Sequence, residues 1–176
     1  MNLRSFTQRW SNKRLTAKDI TLMALMVAII EVCKLALAQI PNVELTSFWI
    51  IMFTIYFGSR IFYIIPVFIL IEGAIFGFNL WWIMYLYAWP TLAIVALLLK
   101  KKNCGQWEYS MLSGVFGLLF GLLCAIPYIF VSGIHGAVTW WIGGIPWDLV
   151  HGVANFAIMM VLFQPINRIM AKMENL

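Results

Sequence analysis

The stretch "ITLMALMVAIIEVCKLALAQI", residues 20–40, decides the fold. As a helix rising ~1.5 Å per residue it is about as long as the ~30 Å hydrocarbon core of a bilayer is thick. Two features sit on it. Ala24 and Ala28, four residues apart, form a small-xxx-small face that a second helix can approach closely, either within the chain or on a partner. One turn later come Glu31 and Lys34, charges in a segment expected to lie in lipid, where isolated charges are costly. They either neutralise one another at i,i+3 or hold something else.

Composition extends this to the whole chain. It is 63% hydrophobic and 11% charged, where soluble domains are about 25% charged, so the fold class is an all-α integral membrane protein. Its 176 residues suffice for one helical bundle and leave no room for a soluble catalytic domain. The net charge of +5 points to cytoplasmic loops, with no nucleic acid expected. Cys33, Cys104 and Cys124 are odd in number and in no metal-ligand spacing, so neither a disulfide framework nor a metal site is expected. The first apolar run is too long for a cleavable signal.

Further along, the apolar runs divide the chain into a single membrane domain, 1–176. A basic arm, 1–19, carries Arg4, Arg9, Lys13, Arg14 and Lys18. Six helices are predicted at about 20–40, 45–57, 61–78, 80–99, 109–131 and 146–163. The second covers only about 20 Å as a helix and is expected to be partly unwound against protein or a wet cavity. A Gly-rich loop is expected over 132–145, with Pro146 at the first position of the last helix.

Orientation follows from the positive-inside rule. With six crossings and both termini cytoplasmic, the inner segments carry eleven of the twelve basic residues, and the twelfth is Lys34. Fusing the second and third runs into one crossing would turn Lys100, Lys101 and Lys102 outward, against the rule.

The intramembrane polar residues then gather in the outer half. Glu31 and Lys34 lie there on the first helix, and Asn42 and Glu44 in the loop that follows. Glu72 is in the outer half of the third helix, with Asn79 just after it. Asp148, His151 and Asn155 descend one face of the sixth helix, unless Asp148 serves that helix's amino terminus. Trp81, Tyr85, Trp140, Trp141 and Trp147 surround them, either at the site or as an interfacial belt. An apolar surround with a few polar groups is what a small-molecule site looks like, so these residues are candidate substrate contacts. Gly73/Gly77 and Gly117/Gly121 are small-xxx-small pairs expected to serve internal packing.

No catalytic residue is assigned. The chain has no G-x-x-x-x-G-K-[ST], H-E-x-x-H or G-x-S-x-G, so it is not expected to hydrolyse ATP in the P-loop manner or to be an enzyme.

Taken with the six-helix layout, three stretches resemble the substrate-binding (S) components of energy-coupling factor (ECF) transporters, the bacterial vitamin importers. Ala24-Leu-Met-Val-Ala28 matches the family's A-x-x-x-A motif. "PNVELTSFWIIMFTIYFG" (41–58) and "GIPWDLVHGVANF" (144–156) look like segments of a Gram-positive branch. The resemblance implies a multi-pass protein of the bacterial cell membrane with no cofactor of its own. Its ligand would be a vitamin, captured from outside. Ala24 and Ala28 would dock on a transmembrane coupling subunit, and two ATPase subunits would use the ATP that drives release as the S component topples. Residues 41–46 and 132–145 would be the lids. Within the family this chain most resembles cobalamin carriers; riboflavin, folate, a queuosine precursor or another vitamin are the other candidates. Outside it, a self-contained secondary transporter, an intramembrane enzyme using Asp148, His151 and Glu72, or a ligand-free scaffold remain open.

Overall fold

The computed structural model describes residues 15–174; the basic arm before them, including Arg4, Arg9, Lys13 and Arg14, lies outside the described residues. Among these, the regular structure is all helical. In chain order the helices are α1 (Ala17–Leu37), α2 (Thr46–Phe57), α3 (Ile61–Phe76), α4 (Leu80–Lys101), α5 (Gln106–Ala125) and α6 (Tyr128–Glu174). A 3₁₀ turn, Gly58–Arg60, joins α2 to α3.

Helix α1 starts on a capping box. Asp19 N donates to Thr16 Oγ1 (3.3 Å), and Thr16 N donates back to Asp19 Oδ2 (2.9 Å). The same carboxylate lies 3.0 Å from Arg60, fastening the start of α1 to the turn between α2 and α3. Ala24 and Ala28 face outward, away from the bundle. The small-residue face of α1 is therefore not used for packing within the described chain.

Helix α2 is the centre. It is intact and not partly unwound as expected, and ten of its twelve residues are buried, from Thr46 to Tyr56 with Trp49 half-buried. Its residues are apolar on every side, as suits a helix enclosed all round. At about 18 Å it needs no membrane-spanning length, because protein and not lipid surrounds it. Thr54, the polar residue at its middle, donates its hydroxyl to Ile50 O (2.6 Å) within the helix. Ile50, Ile51, Met52, Ile61, Ile64 and Phe68 form the fully buried core with Trp89.

The largest departure from expectation is at α5 and α6. The expected loop at 132–145 is helical, and the fifth helix breaks at Ile126-Pro127 instead of running to 131. Proline removes a backbone donor and clashes with the preceding turn, which accounts for that break. Gly133 (φ 71, ψ 177) is the one non-helical residue inside α6. Its consequence is a reversal: the rings of Tyr128 and Trp140 stack at 4.8 Å, whereas twelve residues of straight helix would separate them by about 18 Å. The reading of a Gly-rich loop failed because glycine is ordinary in membrane helices, and because Ser132 and Thr139 donate their hydroxyls to Tyr128 O and His135 O within the helix. Pro146 accordingly lies in the interior of α6, and Asp148 is far from its amino terminus.

α5 and the long arm of α6 pack antiparallel on small residues. A Cβ on Gly117 would stand 2.8 Å from the backbone of Gly152, and one on Gly121 only 2.3 Å from the Asp148 carboxylate. The expected packing role of Gly117/Gly121 is thus what the structure has. Gly73 likewise leaves no room for a Cβ beside Phe78, but Gly77 instead ends α3 with φ 92.

The outer surface is apolar, with Val32, Leu70, Phe130, Val153 and Val161 more than half exposed. Five helical stretches are long and apolar enough to cross a membrane: Ala17–Leu37, Thr46–Phe76, Leu80–Lys101, Gln106–Ala125 and Tyr128–Lys172. Such a surface is stable facing lipid and a liability facing water.

Candidate functional site

Helices α1 and α3 both leave the end of the bundle marked by the Asp19–Arg60 pair, so equal distances along them meet. Lys34 on α1 therefore reaches Glu72 on α3. The two form an ion pair, and the Lys34 ammonium also donates to Tyr85 Oη of α4 (3.3 Å). Lys34 thus pairs with Glu72 and not with Glu31, its i,i+3 neighbour. Glu72 is fully enclosed. Four aromatic rings surround the same ammonium, Phe76 at 5.1 Å, Tyr85 at 5.2 Å, Trp81 at 5.9 Å and Phe68 at 6.0 Å from the ring centroids. Distances of this size are attractive, because the ring faces carry negative potential.

A second polar cluster centres on Glu44, in the connection between α1 and α2. Ser47 N donates to Glu44 Oε2 (2.9 Å), and the Ser47 hydroxyl reaches the other oxygen. From α6, His151 Nε2 lies 3.3 Å from Glu44 Oε1, and Asn155 Nδ2 donates to the same oxygen at 3.1 Å and to Ser47 Oγ at 3.2 Å. Burial alone would raise the Glu44 pKa, but the His151 and Ser47 hydrogen bonds and the His151 charge outweigh it and hold the carboxyl at about 2. One turn before His151, Asp148 accepts from Gly121 N (2.9 Å), a contact that only a glycine on α5 permits.

Aromatic rings connect the two clusters. Tyr85 packs on Trp89 (5.2 Å), Trp89 on Phe120 (5.7 Å) and Phe120 on the His151 imidazole (4.8 Å). Along this path several buried polar atoms have no hydrogen-bond partner: both oxygens of Glu31, Glu72 Oε1, Trp89 Nε1, Asp148 Oδ2, His151 Nδ1 and Asn155 Oδ1. Native interiors leave few such atoms, so their grouping around the two clusters makes this region the candidate site.

No family model matches this chain, and no similar curated protein or solved structure is found.

The structure thus brings together Lys34, Glu72, Trp81 and Tyr85 in one group and Glu44, His151 and Asn155 in another, with Asp148 beside the second and Glu31 buried a turn before Lys34. It does not bring in the rest of the expected contacts. Trp140 and Trp147 are exposed, Trp140 stacking on Tyr128. Asn79 is exposed at the start of α4, and Asn42 sits in the loop with φ 57. Trp141 is half-buried on the 134–174 arm.

Phe68, Trp89 and Phe120 also touch these clusters, and nothing in the sequence marks them. All three are rings in apolar runs, and nothing local distinguishes a ring that faces a site from one that faces the core. Ser47 carried a signal, since a serine three residues after Glu44 at a helix start is placed to bond it.

Chemically, the arrangement suits binding. In this cluster His151 faces the Glu44 carboxylate, and the Ser47 hydroxyl donates to that same carboxylate. Among the described residues no three His, Cys, Asp or Glu side chains group as metal ligands.

Proposed function

We propose that this chain is the substrate-binding component of an ECF-type importer, spanning the bacterial cell membrane six times with both termini cytoplasmic. It would take a small ring-containing vitamin from outside, with cobalamin the first candidate. It would pass that vitamin through a transmembrane coupling subunit served by two ATPases. The observation that carries this reading is the joined pair of polar clusters, in which several buried atoms lack partners and which a chain of packed aromatic rings connects. Aromatic rings stack on a flat ring system, and polar groups at either end of the chain of rings suit the substituents of such a ligand. The outward placement of Ala24 and Ala28 supports a docking role, since a small-residue face turned away from the bundle is free for a helix of another chain. Six crossings agree with the alternation of basic segments and with the Asp19–Arg60 and Lys34–Glu72 contacts at opposite ends of α1 and α3.

The test is a ligand screen on the protein purified in a maltoside detergent. Intrinsic tryptophan fluorescence is followed while B vitamins and their precursors are added, with calorimetry for coloured compounds. We expect one compound to bind saturably at nanomolar concentration and to bind at least tenfold more weakly to His151→Ala. Silence across the panel would remove the vitamin-binding reading.

A further inference from the structure

The Lys34 ammonium occupies a site whose chemistry is that of a cation receptor. From the four rings around it and the enclosed carboxylates beside it, we propose that this cage receives a cationic group of the transported solute, and that Lys34 is a tethered occupant which the solute displaces. The proposal rests on the importer reading above and concerns the class of substrate: a quaternary ammonium, an N-alkylated heteroaromatic ring or a protonated amine.

Three observations support it. First, four rings, two from α3 and two from α4, lie within 6.0 Å of the Lys34 nitrogen. A single ring beside a lysine is common, whereas a cage of four is the arrangement that recognises quaternary ammonium groups. Second, the carboxylates outnumber the cation. Glu72 is wholly enclosed and uses only one oxygen on Lys34, and Glu31, one turn before Lys34, is buried with neither oxygen bonded. An anionic solute would meet these carboxylates with Lys34 already paired; a cationic one would satisfy them. Third, the cage has an open side. The Lys34 side chain is 26% exposed and Phe76, at the end of α3, is an exposed rim residue, so the lysine can swing out without unfolding a helix.

The test uses choline and its uncharged isostere 3,3-dimethylbutan-1-ol on the full chain in maltoside detergent, which has no ammonium head group. Lys34→Met empties the cage and leaves Glu72 without its cation. We expect choline, but not the alcohol or an equal concentration of sodium chloride, to raise the melting temperature of Lys34→Met. We also expect it to quench the variant's tryptophan fluorescence saturably, with an affinity at least tenfold above that of the wild-type protein. Adding Glu72→Gln should abolish the response. Should Lys34→Met fail to fold, the wild-type protein decides: choline binds it at higher concentration, and Phe76→Ala at the rim weakens that binding severalfold. Equal responses to choline and the alcohol, or no saturable response to choline in any of these proteins, would overturn the proposal and leave Lys34 as a structural occupant. Vitamins assayed alongside keep the two failures apart. A neutral vitamin that binds while choline does not overturns the cage alone, and choline binding without any vitamin removes the importer reading alone.

Discussion

At the scale of the residue, Glu44 is the most informative side chain because its ionisation is tied to the arrangement of three elements. Its pKa falls from 4.5 to about 2 in the folded chain, burial opposing the shift and the bonds from His151 and Ser47 prevailing. A carboxylate with a depressed folded pKa contributes its stability in full above the unfolded value and loses it as the pH falls toward the folded one. The pH window is therefore 4.5 down to about 2, and at about 1.4 kcal/mol per pH unit the ceiling is about 3 kcal/mol. Melting temperatures in detergent should fall across this window in the wild-type protein and fall less steeply in Glu44→Gln. Identical slopes would mean that the carboxylate is not held as described. Both members of this cluster on α6, His151 and Asn155, were identifiable from their spacing, but their joint partner was not, since Glu44 is more than a hundred residues away.

At the scale of the element, the pairing of α5 with α6 depends on glycine. Gly117 and Gly152 meet backbone to backbone, and a backbone cannot swing aside as a side chain can. Gly117→Leu should therefore force the two helices apart at a cost of a few kcal/mol, in the upper range of overpacking. Urea or thermal denaturation would read it, and Leu119→Ala, on an exposed position of the same helix outside these glycine contacts, serves as the control. If both variants were equally stable, the glycine contact would not be tight. The reversal at Gly133 makes a second case. With φ 71 and open space around it, an alanine there would be strained by its backbone and by nothing else. Gly133→Ala should cost about 1–3 kcal/mol, and Gly143→Ala, where nothing crowds the new methyl, should be neutral or mildly stabilising.

At the scale of the whole molecule, two predictions concern how the bundle sits and what it meets. Six crossings place Ser59 and Lys102 on one side of the membrane and Ser132 on the other. Single cysteines at these exposed positions, in a background with Cys33, Cys104 and Cys124 replaced, should react with an impermeant maleimide accordingly. A cysteine at Ser59 labelled from the same side as one at Ser132, or from neither, would end the six-crossing arrangement. The other prediction concerns Ala24 and Ala28. Because both face outward, Ala24→Leu with Ala28→Leu should leave ligand binding and melting temperature nearly unchanged while abolishing uptake in cells that supply the partner subunits. Loss of the fold in that variant would show that the face packs within the chain.

What the sequence by itself determined is whatever depends on local composition and spacing. The apolar runs give an all-helical chain with stretches long and apolar enough to cross a membrane, and Pro41, Gly58 and the triple lysine punctuate it close to where α1, α2 and α4 end. Lys34, Glu72, His151 and Asn155 stand out because charge and polarity are rare in such runs. Tertiary structure decided what composition leaves degenerate. Glycines at 133, 136, 143 and 144 are compatible with a loop or a membrane helix, and the folded chain makes the last three helical while Gly133 alone leaves helical geometry. Lys34 had a carboxylate in reach on its own helix, yet the alignment of α1 with α3 gave it Glu72. Which of the many rings face the site was likewise settled by helix rotation, because most residues of α2, α4 and α5 are apolar enough to be buried and only close packing chooses which are.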